Sequence, residues 1–278
     1  MDTTAARGLI ALNNRFYAEH AASFDATRRA PWAGWEQLVA LLRRQDLGGA
    51  AHDFAGTTVR VLDVACGNLR FERFLSTTLP TAPFEFHAVD ACAELVAGAA
   101  NELDGLHFYQ VDVLEALLEG GALPLCDMPP ADLVVCFGFM HHVPGPALRR
   151  SLLEALVGAT APGGMIALSF WQFMDDARLA AKAAAADRAA ATTAPPWPGF
   201  GPDALDAGDH FLGWQDDSGP LRYCHHFCEA EIDELASCAA AAGARELARY
   251  SADGASGTAN RYLVLQRQRM ANGYDGGV

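Results

Sequence analysis

VLDVACGNLRF, residues 61–71, is the stretch on which the fold turns. Val61 and Leu62 suit the end of a buried strand, Asp63 closes it, and a short loop runs into RFERFLSTT, which reads as a helix. A strand passing through a loop directly into a helix is the opening unit of an open parallel sheet, where ligands sit outside the carboxyl ends of the strands. Loops of this kind usually carry two or three glycines, because the backbone must turn sharply and let a ligand approach. This one carries only Gly67, so by itself it fits either a cofactor loop or a plain turn.

Outward from the loop, short apolar runs alternate with helical patterns as far as residue 171, the pattern of a parallel sheet with crossover helices. Strands are expected at 59–63, 84–89, 106–111, 132–137 and 165–170, with helices near 69–78, 92–103, 114–119 and 146–159. A helix at 229–243, with Gly243 placed to end it, precedes two closing strands at 244–250 and 260–267. The first 45 residues read as two helices joined at FDATRRAPWAGW, where Pro31 suits a first helical turn and Thr27 or Asp25 suits a cap. Residues 175–220 begin as an alanine-rich helix and continue as a Pro, Gly and Asp-rich loop, expected to be a lid or a substrate-binding insertion. Trp197, Phe200, Phe211 and Trp214 argue against plain disorder there.

The chain has 278 residues, 51% of them hydrophobic and 19% charged, enough for one large core. We expect a single domain over 1–278: a helical cap (1–50), a cofactor-binding core (56–171), an insertion (172–220) and the remainder of the core (221–278). Neither a leader-like run in the first 30 residues nor eighteen consecutive uncharged apolar residues occur, so no membrane association and a cytoplasmic location are expected. Seven scattered cysteines fit reduced thiols rather than a disulfide framework. CHHFC at 224–228 packs four donors into five residues, too close on one extended segment to converge tetrahedrally, so no metal site is expected. The net charge of −14 is the wrong sign for an unaided nucleic-acid binder, and DNA is not expected as a partner. Of twenty cations only Lys182 is a lysine, and the arginine and alanine excess fits a GC-rich coding bias.

Three acids end three successive strands. Asp63 sits beside the loop; Asp90, 23 residues after Gly67, is placed to accept from both hydroxyls of a ribose; Asp112 is placed to accept from an adenine amine. Each of the last two also precedes a helical run and suits an N-cap, so the ligand reading rests on their occurring together. Ala65, Cys66, Gly67 and Asn68, with Ala91, Val113 and Phe137, complete the expected cofactor set. After the fourth strand, CFGFMHHVPGPALRR places His141 and His142 on the rim where a second substrate meets the cofactor; one of the two is expected to be structural.

Together, VLDVACGN, Asp90, Asp112 and APGGMIAL (161–168) resemble the class I S-adenosylmethionine-dependent methyltransferases. The resemblance implies an α/β, doubly wound, Rossmann-like sheet of seven strands, the last antiparallel, and S-adenosylmethionine (SAM) as cofactor. A narrower resemblance spans most of the chain: residues 16–35, 137–156, 161–171 and 221–235 look like successive motifs of the tRNA wobble-uridine methyltransferases. That family esterifies 5-carboxymethyluridine in tRNA, its eukaryotic members working with a small activator subunit. Carried over, Tyr17, Phe24, Thr27, Arg28, Pro31 and Trp32 match its N-terminal signature. His141, His142 and Arg149 match the signature after strand four, and Arg222, Tyr223, His225 and Phe227 the C-terminal one. The acceptor-side set this implies is Arg28, His141, His142, Arg222 and Tyr223. The chain departs from the family at Ala65 and Leu69, where the loop otherwise has glycines, and over 172–220, which has no counterpart. Three readings follow: a tRNA carboxymethyl methyltransferase, a small-metabolite O- or N-methyltransferase with a lid, and a SAM-binding scaffold without turnover. A nicotinamide-dependent oxidoreductase does not fit, since no GxGxxG opens a helix.

Overall fold

The computed structural model describes residues 1–44, 58–98, 102–120, 125, 128–214 and 220–269. Five parallel strands, β1 (Val59–Val64), β2 (Phe84–Asp90), β3 (Leu106–Gln110), β4 (Ala131–Cys136) and β5 (Thr160–Trp171), are joined by helices α3 (Arg70–Thr78), α4 (Ala93–Val96), α5 (Val113–Leu118) and α6 (Pro146–Ala159). After α8 (Glu229–Ala241), strands β8 (Ala244–Ala252) and β9 (Asn260–Arg267) complete a seven-stranded sheet in the order β3-β2-β1-β4-β5-β9-β8, with β9 antiparallel to both neighbours. This is the expected doubly wound, Rossmann-like arrangement. Its strand order reverses beside β1, between β1 and β4, so the loop after β1 lies at the switch point.

Both faces of the sheet are buried, so its central strands are apolar almost throughout: every residue of β4 from Leu133 to Cys136 is sealed. One face packs on α6 and α8 through Leu152, Leu156, Ile232 and Leu235, the other on α2 (Ala33–Leu42) and α3 through Trp35, Leu38, Phe71 and Leu75. Gly243 has φ +89° just past α8 and ends that helix as its position predicts. The six described cysteines are unpaired, four of them buried.

Three elements depart from the sequence reading. The helix expected at 92–103 is described only as the single turn of α4; its residues 99–101, like Cys126, lie outside the described residues. At the N-terminus α1 (Thr3–Thr27) runs through Asp25 and Thr27, so neither caps the next helix; α2 begins after Trp32, with no side-chain cap, and Pro31 precedes it. The stretch after residue 192 is not a bare loop. Beyond α7 (Ala177–Thr192), β6 (Asp209–Gly213) and β7 (Leu221–His225) form an antiparallel pair with Phe211 opposite Tyr223. Phe211 and Tyr223 pack with Ala186 and Ala190 of α7 against Leu9 and Leu12 of α1. The insertion and the N-terminal helix thereby share a small core above the sheet.

Candidate active site

A cavity of about 1000 Å³ opens at the carboxyl ends of all five parallel strands and is roofed by α1 and β7. One half of it is the loop after β1. Ala65, Gly67 and Leu69 all take left-handed backbone conformations, φ +63°, +56° and +55°. The alternation turns the chain sharply and brings the amides of Ala65 and Cys66 onto the carbonyl of Val89 at 2.8 and 3.1 Å. A Cβ on Gly67 meets nothing within 4 Å, so that position faces open space where a ligand can approach the backbone. Asp90 closes the loop from β2: Oδ2 accepts from Gly67 N and Oδ1 from Cys92 N, both at 2.8 Å. Asp112 does double duty, Oδ1 capping α5 through the amides of Leu114 and Glu115 while Oδ2 accepts from Asn14 Nδ2 at 2.5 Å. The cap and ligand readings of these acids are therefore not exclusive, because each carboxylate oxygen has a second lone pair to offer the cavity.

Leu69 departs from the glycine pattern without obstructing the loop. Its side chain is fully buried behind it, against Cys66, Ala88 and Val96, and does not line the cavity. The left-handed backbone costs a non-glycine residue about 1–2 kcal/mol, but truncating a buried leucine costs about 2–5 kcal/mol. Leu69→Gly is accordingly expected to lower stability by about 1–3 kcal/mol in urea unfolding and to leave SAM affinity no better than wild type.

The other half of the cavity gathers residues distant in sequence. His141 and His142 lie in a 3₁₀ turn after β4, both buried. His142 Nδ1 donates to the carbonyl of Tyr223 at 2.8 Å, which leaves Nε2 to accept from the Tyr17 hydroxyl at 2.8 Å. Asn13 of α1 clamps the same strand, accepting from Tyr223 N at 2.8 Å and donating to Tyr223 O at 3.1 Å. Burial, and then the Arg222 charge, pull His142 down to about 3; burial and the neighbouring His142 take His141 well below the usual histidine range. Both rings are neutral at physiological pH, and Nδ1 of His141 has no partner.

Arg222, on β7, also faces this space. Its guanidinium lies 5.4–5.7 Å from the ring centres of Phe16, Trp171 and Trp214 and hydrogen-bonds the Tyr17 hydroxyl. Its Nε is buried without a partner, and among the described residues no carboxylate pairs with it. Arg28 stacks on Phe24 and on the same Trp214 ring; burial and then repulsion from Arg222 lower its pKa. Among the described residues, donor atoms of His141, His142 and Cys224 lie within 4.8 Å of one another. The hydrogen bonds already made by both His142 nitrogens and the Arg222 charge beside Cys224 and Tyr17 make this a neutral, hydrogen-bonded cluster rather than a cation site.

Tyr223 does not reach the cavity. Successive residues of a strand face opposite sides, so with Arg222 inward Tyr223 points behind, where its hydroxyl donates to Asp209 at 2.8 Å. Arg149, Asp209, His225 and Glu231 complete a buried network there, with His225 Nδ1 2.7 Å from Asp209 and Nε2 2.8 Å from Glu231. Of the expected motif residues, Arg149, Tyr223, His225 and Phe227 thus brace β7 from behind.

Residues 62–166 match the family described as methyltransferase domain. Residues 62–166 form a methyltransferase domain, in a chain with the fold of SAM-dependent methyltransferases. No curated protein sequence matches the chain significantly. Among solved structures it is similar to a SAM-dependent methyltransferase from Methanosarcina mazei (TM-score 0.55, 15% identity, 78% of this chain and 96% of that one). It is also similar to the N-methyltransferase NodS from Bradyrhizobium japonicum in complex with S-adenosylhomocysteine (TM-score 0.52, 13% identity, 94% and 98%). A third is 1,6-didemethyltoxoflavin-N1-methyltransferase from Burkholderia thailandensis with S-adenosylhomocysteine (TM-score 0.53, 14% identity, 93% and 88%). At these identities the likeness is one of fold.

The methyltransferase loop fits its cofactor by its own geometry: an open face at Gly67, Asp90 and Asp112 at successive strand ends, and Asp63, Ala65, Cys66, Asn68, Ala91, Val113 and Phe137 all lining the cavity. Asn68 further ties the loop to α1, donating to Asp25 Oδ1 and the Arg28 carbonyl at 2.8 and 2.9 Å. Sequence reasoning missed Asn13, Asn14 and Trp171, which line the same cavity. Two adjacent asparagines in the apolar run LIALNNRF of α1 were the available signal, since a buried amide needs partners. Asp90→Ala is expected to raise the SAM dissociation constant at least tenfold by calorimetry, because Gly67 N and Cys92 N lose their acceptor and the loop its tether. An unchanged constant would remove Asp90 from the site.

Among the described residues, no helix is long and apolar enough to cross a membrane.

Proposed function

We propose that the enzyme methylates a carboxylate oxygen, forming a methyl ester. The observation that carries this reading is Arg222: a buried guanidinium in the cavity wall with a partnerless Nε and, among the described residues, no carboxylate counter-ion. A charge held this way is expensive unless an anion completes it, and a planar guanidinium matches a planar carboxylate with two parallel hydrogen bonds. Arg28 adds a second cation across Trp214. When bound, SAM supplies an electrophilic methyl group on a sulfonium, transferred by in-line displacement.

A carboxylate is ionised at neutral pH and needs no base, which agrees with histidines held neutral, His142 being already committed to hydrogen bonds through both nitrogens. The roles follow from geometry: Arg222 and Arg28 orient the acceptor, His141 Nδ1 offers a hydrogen bond, and His142 with Tyr17 fixes the wall. Trp171 and the aromatic roof exclude water, which strengthens the arginine contacts.

Such a carboxylate belongs to a small metabolite or to a carboxymethylated uridine of tRNA, and the net charge of −14 favours the first. The test is radiolabelled methyl transfer to a small-molecule extract and, separately, to bulk tRNA, followed by mild alkali. Methyl esters release the label as methanol; N-methyl and aryl ether products retain it. Alkali-stable product in both arms overturns the ester reading and favours an amine or phenol acceptor served by His141.

A further inference from the structure

The cavity extends past the wall that holds Arg222. Its lining continues from Trp171 of β5 to Asn260, the partner of Trp171 on β9, and on to Asp253 and to Arg70 at the start of α3. Arg70 is half-buried, its guanidinium 5.0 and 5.1 Å from the ring centres of Trp32 and Trp35. Nη1 donates to the Ala30 carbonyl at 3.0 Å, and Nε is buried with no partner. Trp32 in turn covers Gly138, just past β4, where a Cβ would stand 3.0 Å from the indole. This lobe therefore adjoins the β4 and β9 side of the sheet, across β1 from the strand ends that carry Asp90 and Asp112.

Among the described residues three arginines line the cavity, Arg28, Arg70 and Arg222, and none of them makes an ion pair. Asp253 lines the same lobe as Arg70, but Oδ1 accepts from Gly34 N at 3.0 Å, and Oδ2 from Asn260 Nδ2 at 2.9 Å and the Tyr262 hydroxyl at 2.6 Å. The other acids of the lining, Asp63, Asp90, Glu94 and Asp112, gather around the ends of β1, β2 and β3. In a chain of net charge −14, cations left without carboxylates in one cavity are placed for anions that arrive from outside. The cofactor brings one carboxylate and the ester reading gives the acceptor another, which leaves the three cations one anion short. We propose that the acceptor is a small acid with two anionic groups: Arg222 holds the carboxylate that is methylated and Arg70, beside Trp32 and Trp35, holds the second, so that the product leaves still negatively charged. The inference rests on the ester reading and extends it to the class of acid.

The chemistry of the guanidinium suits this role. Stacking on indoles leaves its in-plane donors free, and among the described residues Nη2 of Arg70 makes no hydrogen bond. A carboxylate or phosphate oxygen can take that donor while Nη1 stays on Ala30. The three cations also repel one another. After burial, the Arg222 charge lowers Arg28, and burial followed by the Arg28 charge lowers Arg70 to about 10. All three stay charged at neutral pH, so an acid with anions at both ends relieves repulsion that a monoacid leaves at Arg70.

The test incubates the full chain with methyl-labelled SAM and a small-molecule extract freed of tRNA, and applies the labelled product to an anion exchanger at neutral pH. Methylation removes one negative charge, so the ester of a diacid is retained and the ester of a monoacid passes through. The expected product is retained and releases its label as methanol in mild alkali. An alkali-labile product that passes through overturns this proposal and leaves the ester reading standing, as does an alkali-labile label confined to tRNA. An alkali-stable product, or no labelled product at all, overturns both. The acid recovered from the product by alkali then serves as substrate for the variants. Arg70→Gln should raise its KM at least about tenfold, the loss of one charge-assisted hydrogen bond, and leave the SAM dissociation constant within about twofold. Arg70→Lys, which keeps the charge, should fall between the two. Weaker SAM binding in Arg70→Gln would give the arginine to the cofactor's own carboxylate, and failure of both variants to fold would give it to the connection between α1 and α2. Either result, or an unchanged KM, overturns the proposal.

Discussion

Arg222→Gln is expected to lower kcat/KM for the methyl acceptor by about 30- to 5000-fold, the equivalent of the 2–5 kcal/mol lost when one partner of a desolvated charge pair is removed. The loss should appear mainly in KM if the arginine only binds the acceptor, and in kcat as well if it aligns the attacking oxygen. Arg222→Lys should recover little, because an ammonium cannot present two parallel donors and does not stack in the same way on Phe16, Trp171 and Trp214. SAM affinity should be unchanged within twofold, since among the described residues the loop from Ala65 to Asn68 is held by Asp90, Asp25 and the Arg28 carbonyl rather than by this side chain. The distinguishing readout is stability. A guanidinium without a carboxylate contributes little to the folded state and carries its desolvation cost, so Arg222→Met should leave Tm unchanged or raise it. A Tm that drops by 10 °C or more with both substitutions would make Arg222 a structural residue and remove the basis of the ester proposal.

That contrast between holding a fold and serving a substrate also explains what the chain reveals before folding. The parallel core was legible because buried strands such as LVVC at 133–136 and helices such as 146–159 announce themselves by composition and period, and their alternation leaves few topologies. The cofactor half was legible because Asp90 and Asp112 sit at fixed points of that topology, one strand end after another. The acceptor half was legible only in part, through motifs that named Arg28, His141, His142 and Arg222 together with Tyr223, for a physical reason: it forms only when α1, the turn after β4 and β7 meet, and nothing local records which side of β7 faces inward. Arg222 and Tyr223 are adjacent in sequence and equally matched to a motif, yet pleating sends one to the cavity and the other to the brace behind it. The β6–β7 pair was hidden for a related reason. Its strands are short and lie in a region rich in glycine and proline, although the alternation in HFLGW and LRYCH was a usable signal. At Leu69 the glycine pattern misled, because a left-handed backbone can be tolerated when the side chain gains a buried site.

The brace leads to the second large effect. Asp209→Ala is expected to destabilise the protein by about 3–5 kcal/mol, the range for removing one member of a buried charged network. The carboxylate, with a fully buried side chain, accepts from Arg149, Tyr223 and His225 through Oδ1 and from Asp206 N through Oδ2. Truncating it takes a shared partner from a buried guanidinium, a buried hydroxyl and a buried imidazole at once. For a chain of this size the corresponding fall in Tm is roughly 10 °C. Glu231, held down at about 2 despite its burial chiefly by its hydrogen bond with His225, would then be, among the described residues, the only carboxylate left beside His225 and Arg149. Because β7 carries Arg222 on its other face, the damage should pass to the acceptor side and spare the cofactor side. The acceptor KM should rise while SAM affinity, measured below the lowered Tm, stays within about threefold of wild type. Asp209→Asn keeps the shape and one acceptor oxygen, so a smaller loss, about half, is expected from it. Wild-type stability in Asp209→Ala, or equal weakening of SAM and acceptor binding, would show that the network does not brace β7.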